Sequence, residues 1–172
     1  MTTHATGRVE LRDGVPVLII TRQFRAPIED VWAAVTEPAR LARWIGTYRG
    51  DPATGTVLFA MTAEGDAAED RMDIRECVPP RRLAVTAQVG QGTDRQAWDL
   101  ELDLVEDGGV TTLTFRQPRP VDADSTGPGW EYYLDRLVAA ETGSDVAGVD
   151  FERDYFPAMS EHYRRQVAAL QA

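Results

Sequence analysis

The stretch Gly127–Glu141, GPGWEYYLDRLVAAE, decides the fold, because its apolar residues recur with the period of a long helix. Pro128 suits a first helical turn, where no intrahelical N–H bond is lost. Glu131 and Asp135 fall off the apolar stripe, which consists of Trp130, Tyr133, Leu134, Leu137 and Val138. Fifteen residues predict a helix roughly 22 Å long. A stripe that begins with large rings needs a broad apolar partner, which a sheet can supply.

Strand patterns fill the sequence from Gly46 to Gln117, with apolar and polar residues alternating between turn signals such as Glu64-Gly65-Asp66 and Pro79-Pro80. The clearest run is Trp98, Leu100, Leu102 and Leu104, with Asp99, Glu101 and Asp103 between them. We interpret these three acidic residues as the solvent-facing side of a strand. Successive strands joined by short turns predict an antiparallel meander.

Strands and helices are also predicted on both sides of this meander. Arg8–Arg12 and Val15–Phe24 flank Asp13-Gly14, a strong hairpin signal. A helix is expected from Pro27 to about Glu37 and a second short one over Ala39–Trp44. The tail from Phe151 to Ala172 is predicted to be helical and to be split near Pro157, and its apolar residues at helical spacing are Phe151, Tyr155, Met159, Tyr163, Val167 and Leu170.

The length of 172 residues predicts a single domain over residues 8–172, preceded by a disordered N-terminus at residues 1–7. No apolar run approaches the ~18 residues of a membrane helix, and the first residues lack a signal-peptide pattern, so we expect a cytoplasmic protein. The single cysteine, Cys77, excludes an intramolecular disulfide and is expected to be a buried, inert thiol.

The charge balance excludes several classes of partner. Eighteen arginines, no lysines and 28 acidic residues give a net charge of −10. A chain without lysine cannot form a lysine Schiff base. Nucleic acids and anionic membranes are also disfavoured, because their binding depends on basic residues. Two distant histidines and one cysteine predict no metal site, and no phosphate-binding loop or other cofactor motif is found.

The order of elements and four motifs resemble a known family. Arg22-Gln23-Phe24-Arg25-Ala26-Pro27, with Val31-Trp32, Thr36, Pro38, Leu41 and Trp44 after it, is similar to the opening of the family related to the activator of heat-shock protein ninety ATPase. The segments 74–83 (IRECVPPRRL), 129–137 and 154–163 are similar to later parts of that family. The resemblance covers residues 17–165 and places the chain in the START-like or SRPBCC superfamily, which includes the birch-pollen allergen.

This resemblance implies an α+β helix-grip fold. A curved antiparallel sheet would wrap around a long C-terminal helix, with two short helices after the first long strand and a helical tail. It also implies a hydrophobic pocket between sheet and helix. Members of the superfamily act as lipid carriers, ligand sensors, aromatase/cyclases and co-chaperones, and the fold does not choose among them.

Candidate cavity residues are the large apolar and aromatic side chains on the inward-facing phases: Trp44, Tyr48, Phe59, Met61, Met72, Trp98, Trp130, Tyr133 and Leu137. They either fill the core or line a ligand cavity, in which the polar edges of Tyr and Trp would orient the ligand.

Arg22 and Glu76 fall on the apolar phases of their strands, where a charge must be paired or must serve a ligand. The two form a salt bridge or reach water at a strand end, or one of them orients a polar ligand group. A register shift of one residue would point them outward. His162 could act as a general base, but its charged surroundings favour a surface position.

Three functions are compatible with these features. The first is a non-catalytic carrier or sensor that binds a small hydrophobic or aromatic ligand, either as a monomer or as a homodimer. The second is a polyketide cyclase-like enzyme that uses Arg22, Glu76 and Tyr133. The third is a chaperone-linked interaction module in the stress response. The co-chaperone for which the family is named has a separate N-terminal domain that this sequence lacks, and this difference argues against the third function. The missing catalytic constellation favours the first.

Overall fold

The computed structural model describes residues 3–65 and 68–172. Met1 and Thr2 of the predicted disordered start, and Asp66 of the predicted turn, lie outside the described residues. The chain divides into two compact units, of which the first comprises Met1–Arg22 and Thr114–Ala172 and the second Gln23–Leu113.

The predicted N-terminal hairpin is confirmed, with strand β1 at Arg8–Arg12 and strand β2 at Val15–Phe24. Asp13 and Gly14 connect them with φ values of 51° and 77°, the left-handed conformation that a two-residue hairpin turn requires. The strands pair antiparallel from Arg8↔Ile19 to Arg12↔Val15. Leu18 and Ile19 are both fully buried although they point to opposite faces, so both faces of β2 are covered.

Two short helices follow β2, as predicted. Helix α1 spans Ile28–Thr36 and begins after Pro27. Glu37 has an extended backbone because the residue before a proline avoids the helical region, and helix α2 then spans Pro38–Leu41. The second helix was predicted to reach Trp44, but it ends earlier and Trp44 lies in the following turn.

The predicted meander is also observed. Its strands are β3 at Thr47–Arg49, β4 at Thr56–Ala60, β5 at Asp70–Val78, β6 at Arg82–Val89, β7 at Gln96–Asp107 and β8 at Val110–Pro118. The eight strands found in the described residues belong to one sheet of order β1-β2-β8-β7-β6-β5-β4-β3. Together with the helices this confirms the α+β class.

The long helix α3 spans Ala123–Thr142 and begins four residues before the predicted start. Pro128 therefore lies inside the helix rather than in its first turn. Gly143, with φ at 72°, ends the helix in the left-handed conformation that glycine adopts without strain.

The tail is split as predicted. Helix α4 spans Phe151–Asp154, and helix α5 spans Ser160–Ala169. Tyr163 on α5 is fully buried. Among the described residues, the helices are too short or too polar to cross a membrane.

Candidate functional site

The second unit carries a largely apolar sheet face. The register places Tyr48 opposite Phe59, Val57 opposite Met72, Met72 opposite Ala87, and Ala87 opposite Trp98. Paired residues of an antiparallel ladder share a face, as do residues two apart on one strand. We define the apolar face as Tyr48, Val57, Phe59, Met72, Ile74, Val85, Ala87, Trp98 and Leu100. Four predicted cavity residues, Tyr48, Phe59, Met72 and Trp98, therefore share it.

The larger side chains of the apolar face remain partly accessible. Val57, Val85 and Ala87 are buried, whereas Phe59 and Trp98 are only half-buried, as are Tyr48, Met72, Ile74 and Leu100. A filled core would bury such side chains almost completely. An apolar face that keeps some accessibility is typical of a surface that receives a ligand or another chain.

Two predicted cavity residues use their polar atoms on α1. The Trp44 indole N–H donates to the carbonyl of Ala34 at 3.0 Å, and this tryptophan is 5% exposed. The Tyr48 hydroxyl donates to the carbonyl of Thr36 at 2.9 Å. Burial and the nearby carboxylate of Glu37 raise the pKa of Tyr48. Trp44 is thus a core residue, and Tyr48 keeps a neutral hydroxyl at the border of the apolar face.

Met61, another predicted cavity residue, lies directly after β4 and is half-buried. It belongs to the second unit and precedes the short 3-10 turn at Thr62–Glu64.

The remaining aromatic candidates lie on α3 in the first unit. The Trp130 ring lies 4.4 Å from that of Phe115, and its indole N–H donates to Gln117 Oε1 at 2.8 Å. Tyr133 is 6% exposed and Leu137 is fully buried. Leu137 fills the core of its unit, whereas Trp130 remains half-buried.

Arg22 faces inward, as predicted, but its partners belong to α3. Its Nη2 lies 2.6 Å from Glu131 Oε2, and its Nε lies 2.8 Å from Asp135 Oδ1. The Arg22 side chain is 11% exposed and that of Glu131 is 0% exposed. Burial lowers the pKa of Arg22, but the two carboxylates outweigh burial and raise it above its ordinary value. The guanidinium is therefore held as a permanent cation.

Sequence reasoning missed Glu131 by placing it off the apolar stripe. Its carboxylate accepts hydrogen bonds from the backbone N–H of Thr6 at 2.6 Å, of Gly7 at 2.7 Å and from the Tyr163 hydroxyl at 2.6 Å. The signal in the sequence was the pair Glu131 and Asp135, one helical turn apart, which together match an inward-facing arginine. Thr6 and Gly7, expected to be disordered, are held by these bonds.

Two buried tyrosines complete this polar cluster. The Tyr155 hydroxyl donates to Asp135 Oδ2 at 2.6 Å. Burial raises the pKa of both Tyr155 and Tyr163, and the adjacent carboxylates raise them further, so both hydroxyls stay protonated as donors. Because Arg22, Tyr155 and Tyr163 each donate to a carboxylate, the cluster of Arg22, Glu131, Asp135, Tyr155 and Tyr163 stabilises the first unit.

The prediction that Glu76 faces the core is wrong. Its side chain is 47% exposed and lies 2.7 Å from Arg82. The ladder shifts between Ile74 and Glu76, where Ile74 pairs with Val85 but Glu76 pairs with Ala84. This β-bulge moves Glu76 to the opposite, charged face.

The prediction that Cys77 is buried is wrong, because this cysteine is exposed. On the charged face, Arg82 also contacts Glu101 at 3.4 Å and Asp103 at 3.0 Å. The acidic row Asp99, Glu101 and Asp103 thus lies on the polar face of β7, as predicted.

The described residues contain no group of histidine, cysteine and carboxylate side chains that could hold a metal ion. His162, expected at the surface, is half-buried, and its Nε2 lies 2.7 Å from the carbonyl oxygen of Gly7. Because a carbonyl only accepts, this nitrogen is the protonated one.

Several solved structures resemble this chain. CalU16 from Micromonospora echinospora is 28% identical over 95% of this chain and 96% of its own, with a TM-score of 0.68. EF2215 from Enterococcus faecalis, a conserved protein of unknown function, is 19% identical over 96% and 92%, with a TM-score of 0.70. DynU16, from the dynemicin biosynthetic locus, is 23% identical with a TM-score of 0.56, over 76% of this chain and 49% of its own.

The search of curated proteins found no match. The model of the family described as "Activator of Hsp90 ATPase homolog 1-like protein" matches residues 25–141, more than half of the chain. The predicted helix-grip fold of the SRPBCC type is thereby confirmed, and the chain belongs to this family.

Proposed function

We propose that this protein is a non-catalytic binder, a carrier or sensor, of a small hydrophobic or aromatic ligand. The observation that carries the proposal is the apolar face of β3–β7, whose large side chains remain half-buried. Met72 offers an adaptable thioether and Trp98 a large ring to a flat apolar molecule. Membership of a helix-grip family supports the same function, since this fold is used for ligand binding.

The net charge of −10 limits the class of ligand. The field of a negatively charged protein attracts a cation and repels an anion, whereas it leaves a neutral molecule unaffected. We therefore expect an uncharged polycyclic or aliphatic compound rather than a fatty acid or a phosphate ester.

The cyclase-like alternative has less support. It relied on Arg22, Glu76 and Tyr133 as converging polar groups, but Arg22 is paired with two carboxylates of α3 and Glu76 is exposed beside Arg82. A charge that is already neutralised is a weak orienting group for a substrate.

For a chaperone-linked role, the direct assay is the ATPase rate of the cognate chaperone with and without the purified protein.

The first experiment is native mass spectrometry of freshly purified protein, in which a co-purifying small molecule would identify the ligand. The second is titration with N-phenylnaphthylamine, a neutral fluorophore that brightens in apolar surroundings. Wild type is expected to bind it, and Trp98→Ala and Met72→Ala are expected to weaken binding by about tenfold, the equivalent of about 1.4 kcal/mol of lost contact.

Glu101→Ala is the matched control, because Glu101 lies on β7 close to Trp98 but on the charged face. It should leave probe affinity unchanged. The proposal fails if wild type binds no probe and carries no ligand, or if all three variants bind with wild-type affinity.

A further inference from the structure

Strand β1 is an edge strand of the sheet. β1 ends the strand order, so one of its edges has no strand partner among the residues that the structure describes. An open edge exposes backbone N–H and C=O groups that can template the addition of another strand. In an antiparallel ladder the N–H and C=O groups of successive residues alternate between the two edges of the strand. If the backbone groups of one residue point away from β2, so do those of its alternate neighbours, and this applies to Gly7, Val9 and Leu11. The N–H of Val9 points away from β2, since it donates to Gln166 on α5.

Two side chains of helix α5 form hydrogen bonds with this edge. His162 Nε2 donates to the Gly7 carbonyl at 2.7 Å, and Gln166 Oε1 accepts from the Val9 N–H at 3.4 Å. Residues four apart on a helix rise about 6 Å, close to the roughly 6.8 Å between alternate strand residues. Two side chains one turn apart can therefore bond successive outward-facing residues of a strand.

We call the two hydrogen bonds of His162 and Gln166 to β1 and Gly7 the cap, and a buried residue of α5 holds it in place. Tyr163, between the two capping residues, is fully buried and donates to Glu131, which also accepts the Gly7 N–H. Both polar backbone groups of Gly7 are thus occupied, one by α5 and one by α3.

We propose that α5 occupies the place of a ninth strand, and that the edge of β1 beneath it is a strand-addition surface for a second copy of this chain. Displacing α5 would open residues 7–11 to antiparallel pairing with the same segment of the second copy.

The charges of β1 favour this partner. With Val9 opposite Val9 of the second copy, Arg8 faces Glu10, and with Leu11 opposite Leu11, Glu10 faces Arg12. Only the intermediate register sets Glu10 against Glu10. Opposite charges directly across a ladder stabilise it. The side chains of Arg8, Glu10 and Arg12 are 50%, 37% and 45% exposed, so they are accessible to a partner.

Room for the added side chains also exists. Leu11 is 51% exposed, and an open groove of about 520 Å³ next to it is lined by the apolar residues Val9, Leu11, Val167 and Leu170 together with Asp122, Asp124 and Arg164.

The test compares self-association by sedimentation velocity over a range of concentrations. Wild type is expected to remain monomeric at tens of micromolar, and His162→Ala/Gln166→Ala to dimerise at least about tenfold more tightly, because two capping bonds no longer compete. Adding Leu11→Pro should restore the monomer. The Leu11 N–H points away from β2, so proline there removes an edge donor without breaking the hairpin ladder.

A folded double variant that stays monomeric, or a dimer that is insensitive to Leu11→Pro, would overturn the proposal. If the double variant does not fold, Gln166→Leu decides the question. The amide of Val9 should then exchange with solvent at least about tenfold faster than in wild type, and unchanged exchange would refute the cap.

Discussion

Glu131 illustrates the residue scale, because its carboxylate is fully buried and yet satisfied. Thr6, Gly7, Tyr163 and Arg22 all donate to it. A buried charge is tolerated only when it is paired and hydrogen-bonded, and this one joins the N-terminal segment, α3, β2 and α5.

Replacement of Glu131 by glutamine should destabilise the protein by about 3–5 kcal/mol, because it leaves the nearly buried guanidinium of Arg22 partly uncompensated and turns an amide N–H toward other donors. Urea unfolding followed by circular dichroism measures the change. Glu10→Gln is the control. Glu10 also contacts two arginines, but at the surface. The urea unfolding midpoint of Glu10→Gln should therefore hardly differ from that of wild type. Equal losses in the two variants would contradict this reading of the cluster.

Stability should also fall in acid through the same residue. Burial raises the pKa of Glu131, but hydrogen bonds from Arg22 and Tyr163 and the charge of Arg22 outweigh burial, so the pKa lies below its usual value. A carboxylate with a lowered folded-state pKa contributes fully above its unfolded pKa of about 4.3, and this contribution is lost as the pH falls further. The free energy of unfolding should decrease below about pH 4.3 in wild type and less steeply in Glu131→Gln. Parallel pH profiles would exclude Glu131 as the source.

At the scale of elements, two glycines of α3 differ in their surroundings. A Cβ on Gly127 would lie 2.6 Å from ring atoms of Tyr163, whereas a Cβ on Gly129 would meet nothing within 4 Å. α3 and α5 can therefore approach closely only because residue 127 has no side chain.

Gly127→Ala should destabilise the protein by about 1–3 kcal/mol, since the overlap with Tyr163 outweighs the gain in helix propensity. Gly129→Ala, in the same helix, should stabilise it by about 0.5–1 kcal/mol. Thermal unfolding of both variants separates packing from propensity. Stabilisation by both would show that the two helices do not depend on this contact.

The bulge in β5 shows why element-level prediction has limits. Alternation correctly placed Met72 on the apolar face of its strand. One inserted residue then reversed the phase, so Glu76 reached the charged face beside Arg82. No local signal in the sequence marks this insertion, because a bulge is defined by what the neighbouring strand pairs with.

At the scale of the whole molecule, the net charge of −10 makes a prediction independent of any site. The protein should not retard duplex DNA or single-stranded RNA in a gel-shift assay at about 0.15 M salt, because it offers no excess of basic groups to release counterions. Retardation at micromolar protein would show a basic surface that the overall charge conceals. Cytoplasmic location remains a prediction, and a chaperone-linked role remains an alternative hypothesis.

The sequence alone determined the hairpin, the meander, the long helix and the divided tail, because periodicity and turn residues act within a few positions of the chain. It also indicated the family and identified Arg22 as an inward-facing charge. Only the tertiary structure decided the partners of that charge, the burial of Glu131, the outward position of Glu76 and the cap on β1. Each depends on residues as much as 157 positions apart, whose side chains meet only when separate elements pack together.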